Sequence, residues 1–135
     1  MSDQPELSVI VPFYNEQDSI RRMHAAIVGA VEPLDIPFEM VFVNDGSKDR
    51  TFEIADEIAR SDSRVRVVQF RRNYGQTPAM AAGIEHARGD VLVTMDGDLQ
   101  NDPADIPRLL EKLEEGYDIV AGWRRKRHDG FILRR

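Results

Sequence analysis

The chain contains no cysteine. That excludes disulfide frameworks, thiolate metal sites and cysteine nucleophiles together, and it fits a reducing compartment. No apolar run approaches the roughly 18 residues of a membrane-spanning helix. The opening Met1-Ser2-Asp3-Gln4-Pro5-Glu6 is polar and acidic, unlike a secretory signal. Neither the G-x-G-x-x-G turn of dinucleotide folds nor a P-loop occurs. Histidines are few and scattered: His24, His86 and His128. The first two fall on helical patterns, where surface or packing roles are commoner than metal ligation. Basic residues are short of acids overall, giving a net charge of -6. Nucleic-acid binding is therefore not expected of the body of the chain.

The charge is unevenly placed. Residues 123–135 hold Arg124, Arg125, Lys126, Arg127, Arg134 and Arg135 against Asp129 alone, so the acidic excess lies wholly in residues 1–122. Such an end either solvates as a loosely packed tail or meets an anion or an anionic membrane surface. We expect one domain over residues 1–122, followed by a basic tail over 123–135. A chain of 135 residues is long enough for one buried core.

Five short apolar runs are expected as strands: residues 7–11, 38–43, 65–70, 91–95 and 118–121. They are mostly continuous rather than alternating, as in parallel strands covered on both faces. Helical periodicity fills the gaps. Ile20, Met23, Ile27 and Val31 share a face, as do Phe52, Ala55, Ile58 and Ala59, and then Ile106, Leu109, Leu110 and Leu113. Thr77-Pro78 and Asp102-Pro103 read as an N-cap followed by the first helical residue. Gly89 and Gly116 stand where helices stop, and Pro107 kinks the last helix or delays its start. The alternation gives an α/β fold with a mostly parallel sheet sandwiched by helices. Ligands of such sheets bind beyond the carboxyl ends of the strands.

Four segments lie at those ends. Asp96-Gly97-Asp98-Leu99-Gln100 follows the fourth strand. Its hard oxygen donors suit Mg²⁺ or Mn²⁺ with a substrate phosphate, and Gly97 admits a phosphate close to the backbone; the same residue types also make an ordinary polar turn. Asn44-Asp45-Gly46-Ser47 follows the second strand. Asp45 suits a base or ribose, and Ser47 suits a helix cap. Pro12-Phe13-Tyr14-Asn15-Glu16 ends the first, with Tyr14 placed to stack on a base and Glu16 either to bond it or to favour a helix start. Arg71-Arg72-Asn73-Tyr74-Gly75-Gln76 ends the third, where paired arginines either meet a diphosphate or merely solvate.

In their order, Ser8-Val9-Ile10-Val11-Pro12-Phe13-Tyr14-Asn15-Glu16, Val43-Asn44-Asp45-Gly46-Ser47 and Asp96-Gly97-Asp98 resemble the family 2 glycosyltransferases of the GT-A fold. Arg72-Asn73-Tyr74-Gly75-Gln76 and residues 95–103 narrow the resemblance to bacterial polyprenyl-phosphate glycosyltransferases and dolichyl-phosphate mannose synthases. It runs from about Leu7 to the last residue.

The resemblance implies a nucleotide pocket lined by Pro12, Tyr14 and Glu16, with Asp45 near the base. It implies that Asp96 and Asp98 serve catalysis through the metal (Mg²⁺ or Mn²⁺) and the diphosphate, with Gln100 assisting at the metal. It implies an acceptor-phosphate region in Arg124 and the arginines after it, Arg134 included. Asn44 departs from the family, which often has Asp there, and Gly97 stands where Ala is common. The implied reaction moves a sugar, with inversion, from a nucleoside diphosphate sugar to a polyprenyl phosphate at the cytoplasmic face of a membrane. Transfer to a saccharide hydroxyl by the same fold, and a non-catalytic nucleotide-sugar-binding fragment, are the alternatives. A nucleotidyltransferase lacks its Gly-rich phosphate loop here. The resemblance also implies that the chain stops within the acceptor motif, short of the rest of the enzyme.

Overall fold

The computed structural model describes residues 4–96, 102–116, 119–121 and 131–134. Six strands form one sheet: β1 (Leu7–Phe13), β2 (Phe38–Asn44), β3 (Val65–Gln69), β4 (Val91–Thr94), β5 (Ile119–Ala121) and β6 (Phe131–Arg134), in the order β3-β2-β1-β4-β6-β5. The first four are mutually parallel, whereas β6 runs antiparallel to both β4 and β5. Four helices accompany them: α1 (Ile20–Val31), α2 (Thr51–Ser61), α3 (Gln76–His86) and α4 (Ile106–Glu114).

The central strands β1 and β2 are buried along their whole length, which is why their sequences are mostly apolar, with Ser8, Glu39 and Asn44 as buried polar exceptions. Their side chains divide between two cores. Leu7, Val9, Val11 and Phe13 point to one face, where Ile20, Met23 and Ile27 of α1, Ile54 and Ile58 of α2, and Leu109 and Leu113 of α4 pack on them. Ile10, Val41, Val43 and Leu92 point to the other, under α3. That helix lies close on the sheet, because a Cβ added at Gly83 would stand 2.3 Å from Ile10 Cγ2. Pro12 is tolerated in a central strand for a geometric reason. The Ile10 carbonyl accepts the Met95 amide, so Pro12 two residues on faces the same side, past the last β1–β4 pair, where no amide hydrogen is needed.

Three differences from the sequence reading have physical causes. Phe52 is 41% exposed; the buried face of α2 is Thr51, Ile54, Ala55 and Ile58, a strict i, i+3, i+4, i+7 set that leaves Phe52 about 100° away. Thr77 is not an N-cap. The helix begins at Gln76, two residues before the expected Pro78, after Gly75 at φ 106 turns the chain. The tail expected to be loosely packed contains β6, whose Ile132 is fully buried against the sheet. Phe131-Ile132-Leu133 is a three-residue apolar run that charge counting across the tail obscured. The Asp102 cap is as expected, accepting the Ala104 amide at 3.0 Å, and Pro107 falls in the first turn of α4.

Candidate active site at the carboxyl ends of the strands

The loops after β1 and β2 are laced together. Asn15 takes a left-handed conformation at φ 54, which asparagine tolerates better than most residues. Its backbone N–H donates to Ser47 Oγ at 2.9 Å, and its side-chain oxygen accepts the Lys48 amide at 2.8 Å. The Glu16 amide donates to Thr51 Oγ1 at 2.8 Å, and the Arg50 amide donates to Gln17 Oε1 at 3.0 Å. Asp49 accepts the Thr51 amide at 2.9 Å and that of Gln17 at 3.3 Å. Desolvation by burial works against the Asp49 anion, but these bonds and the Thr51 hydroxyl outweigh it and hold its carboxyl below the usual value. Tyr14 is left 41% exposed on top of this frame, while Pro12 is buried beneath it. The Glu16 carboxylate is partly buried and accepts the Ser19 hydroxyl at 2.6 Å.

Asp45 is only 4% exposed. Its carboxylate accepts hydrogen bonds from the Asn73 side chain at 3.0 Å, the Tyr74 amide at 2.8 Å and the Gly75 amide at 3.0 Å. Beside it the backbone of Arg72 runs so close over Gly46 that a Cβ there would lie 2.1 Å from the Arg72 carbonyl carbon. Asp45 and Gly46 thus form a seat for the loop over residues 72–75. The surface this loop turns outward is Tyr74, 51% exposed, with the Arg72 guanidinium 4.7 Å over its ring and Phe70 edge-on at 5.5 Å. Sequence reasoning placed Asp45 beside a base. It missed Asn73 and the two loop amides as its partners, although Asn-x-Gly is a turn signal.

Asp96 stands at the exit of β4, next in the sheet to β1. Gln76 Nε2 donates to its Oδ1 at 2.6 Å. Nothing in the sequence motifs singled out Gln76 for this. Asp98, Gln100 and Arg124 lie outside the described residues. Arg134 is not part of this end: it pairs in register with Val91 at the start of β4, some 16 Å from Asp96 along the strand. Its guanidinium faces Glu114. Arg134 thus stands at the opposite end of β4 from Asp96.

Among the described residues no group of three or more His, Asp or Glu gathers to hold a metal. The donors available at this end are oxygens. His24 is bonded to Asp62 on the α1–α2 side, and His86 to the Ala82 carbonyl at the far end of α3. An all-oxygen set of Asp96, Asp98 and Gln100 fits a hard cation such as Mg²⁺ or Mn²⁺.

The opposite end of the sheet offers space lined largely by charges that are paired with one another. A cleft of about 750 Å³ there is lined by Phe38, Glu39, Arg64 and Arg88 among others. Glu32, Glu39, Arg64 and Arg88 in its lining are paired. Glu39, 2% exposed, accepts the Ser8 hydroxyl at 2.6 Å, the Arg88 amide at 2.7 Å and the guanidinium groups of Arg88 and Arg66. Burial pushes its carboxyl up, but these donors prevail and hold it below its usual value. Arg64 is held by Asp62 and Glu32.

Comparison with known proteins gives the family and the fold. The family described as Glycosyl transferase family 2 matches residues 8–135. An undecaprenyl-phosphate 4-deoxy-4-formamido-L-arabinose transferase of Edwardsiella ictaluri is 45% identical over 96% of the chain and 40% of its own length. A dodecaprenyl-phosphate galacturonate synthase of Rhizobium johnstonii is 43% identical over 96% of the chain and 39% of its own length. The chain thus spans about two fifths of the curated relatives it matches. Among solved structures, a Pyrobaculum calidifontis mannosyltransferase in complex with GDP-Man and Mn²⁺ superposes with a TM-score of 0.82 at 21% identity, over 98% of the chain and 45% of that one. S. aureus TarS in complex with UDP-GlcNAc does so at 0.70 and 26%, over 86% of the chain and 33% of its own. The expected GT-A architecture is the one found.

Proposed function

The chain belongs to glycosyl transferase family 2, and from that premise we propose that it is the donor-binding part of an enzyme that transfers a sugar from a nucleoside diphosphate sugar to a polyprenyl phosphate. The observation that carries the reading is identity of 43–45% across nearly the whole chain to two relatives, both named for polyprenyl-phosphate acceptors.

In this proposal Tyr14 and the Arg72–Tyr74 surface receive the nucleoside, with Pro12 and Glu16 shaping the floor and wall of the pocket. Asp45 acts on it by seating the loop. Asp96, Asp98 and Gln100 hold Mg²⁺ or Mn²⁺. When bound, such a cation neutralises charge on the departing diphosphate. Arg124, in the basic stretch, meets the acceptor phosphate, for which a forked guanidinium is suited. A phosphate monoester has a second pKa of about 6 and is mostly dianionic near neutral pH, so it attacks the anomeric carbon with little help from a general base. Direct attack of that oxygen from the face opposite the diphosphate inverts the anomeric centre. The acceptor brings the complete enzyme to a membrane surface. No helix among the described residues is long and apolar enough to cross one.

The test is transfer by the complete protein from a panel of UDP- and GDP-sugars to undecaprenyl phosphate, followed by mass spectrometry. The expected product is a glycosyl polyprenyl monophosphate. Transfer to oligosaccharide hydroxyls with none to the lipid phosphate would replace this reading with the saccharide-acceptor one.

A further inference from the structure

We propose that Gln76 is a positioning residue for Asp96, fixing the carboxylate that faces the cation and diphosphate; the inference rests on that reading of Asp96. Gln76 opens α3, and its place is set from both sides. On its amino side, the Gly75 amide is tied to Asp45 Oδ2 at 3.0 Å. On its carboxyl side, Gly83 presses the helix onto Ile10 and Val43, so α3 has no room to approach the sheet further. From that anchored start the side chain crosses to the exit of β4, where its amide donates to Asp96 Oδ1 at 2.6 Å.

The residue type matters. An amide engages one carboxylate oxygen and restrains the plane of the group, yet it carries no charge. A lysine or arginine in its place would neutralise the anion that a divalent cation needs. Asparagine is one methylene shorter. Gln76 also follows directly on the loop seated by Asp45, so the loop facing the nucleoside and the carboxylate facing the diphosphate share one anchor. The side chain of Gln76 is itself exposed, so fold stability gives it no other evident task.

The test uses the complete protein. UDP and GDP are titrated calorimetrically with Mn²⁺ and with chelator, and bound Mn²⁺ is followed by electron paramagnetic resonance. Gln76→Ala and Gln76→Asn should each reduce the Mn²⁺-dependent gain in affinity by about tenfold, the scale of one hydrogen bond to a charged group. Affinity in chelator and the thermal midpoint should stay at wild-type values, and the Mn²⁺ spectrum should change shape. If Asp96→Ala abolishes the gain while Gln76→Ala keeps it, the positioning role is overturned and the reading of Asp96 stands. If Asp96→Ala also keeps the gain, the reading of Asp96 fails and the inference goes with it. A fall in both chelator affinity and thermal midpoint for Gln76→Ala would make the residue a structural one and overturn the proposal.

Discussion

Gly75 donates its backbone N–H to Asp45 across 30 residues of sequence, at 3.0 Å, and the adjoining Tyr74 amide donates to the other oxygen of the same carboxylate at 2.8 Å. A buried aspartate thereby decides where an exposed aromatic residue stands. Asp45→Ala should weaken nucleoside diphosphate binding without removing its dependence on Mn²⁺. It should also lower stability by about 1.5–3 kcal/mol, the range for losing hydrogen bonds to a charged group. Calorimetric titration with and without metal, beside urea unfolding, separates the two effects. Lost affinity at unchanged stability would instead indicate direct contact with the nucleoside.

Gly46 and Gly29 make a matched pair of glycine tests. A Cβ at Gly46 would meet the Arg72 backbone at 2.1 Å, and its φ of 68 is itself strained for a side chain. Gly29 lies in α1 with nothing within 4 Å of an added Cβ. Gly46→Ala should destabilise by several kcal/mol, as forced backbone shifts do, or displace the 72–75 loop. Gly29→Ala should stabilise by roughly 0.5–1 kcal/mol through helix propensity. Urea unfolding midpoints measure both. A tolerated alanine at Gly46 would refute the close approach of the two loops.

Much of this arrangement was legible in the sequence because it is local. The strand runs, the α1 face of Ile20, Met23, Ile27 and Val31, and the Asp102 cap each follow from residues within a few positions of one another. The partners of Asp45 were not legible, since they come from residues 73–75, and only the parallel pairing of β2 with β3 brings those segments together. Gln76 was hidden for the same reason, its partner being 20 residues away. Strand β6 was hidden differently: six basic residues in the last thirteen dominated the reading of that segment, and antiparallel insertion between β4 and β5 has no local signature.

Glu39 sets a pH dependence at the opposite end of the sheet. Its folded pKa is depressed, so the native state holds fewer protons than the unfolded chain as pH falls past about 4.5. Its contribution is present above that value and is lost as pH drops through the folded pKa. Asp62, also depressed through Arg64 and His24 against its burial, adds to the same acid loss. The groups facing Glu39 are Ser8, Arg66 and Arg88, so Glu39→Gln leaves two guanidinium groups without their anion. The variant should be destabilised by about 3 kcal/mol at pH 7, as when one partner of a buried pair is removed. The gap to wild type should narrow steadily below pH 4.5. Urea unfolding at several pH values checks this, and a constant gap would mean that Glu39 is not charged in the folded state.

The two arginines assigned to the acceptor provide a test of the proposed chemistry. Arg134 begins from the wrong end of the sheet: its register partner is Val91, and its guanidinium faces Glu114 at 3.5 Å. That contact is exposed on both sides and contributes little. Arg124 lies outside the described residues, three positions after β5 in sequence; β5 is antiparallel to β6, as β6 is to β4, so the carboxyl end of β5 is on the side where Asp96 stands. In the complete enzyme Arg124→Ala should therefore raise the KM for polyprenyl phosphate about ten- to hundredfold, the scale of losing hydrogen bonds to a phosphate dianion, and leave the KM for the nucleotide sugar nearly unchanged. Arg134→Ala should alter neither. Steady-state kinetics with each substrate varied in turn reads all four quantities. A rise in the nucleotide-sugar KM for Arg124→Ala would move that residue to the donor diphosphate. A raised acceptor KM for Arg134→Ala would mean that the lipid phosphate approaches the amino-terminal edge of the sheet, away from Asp96.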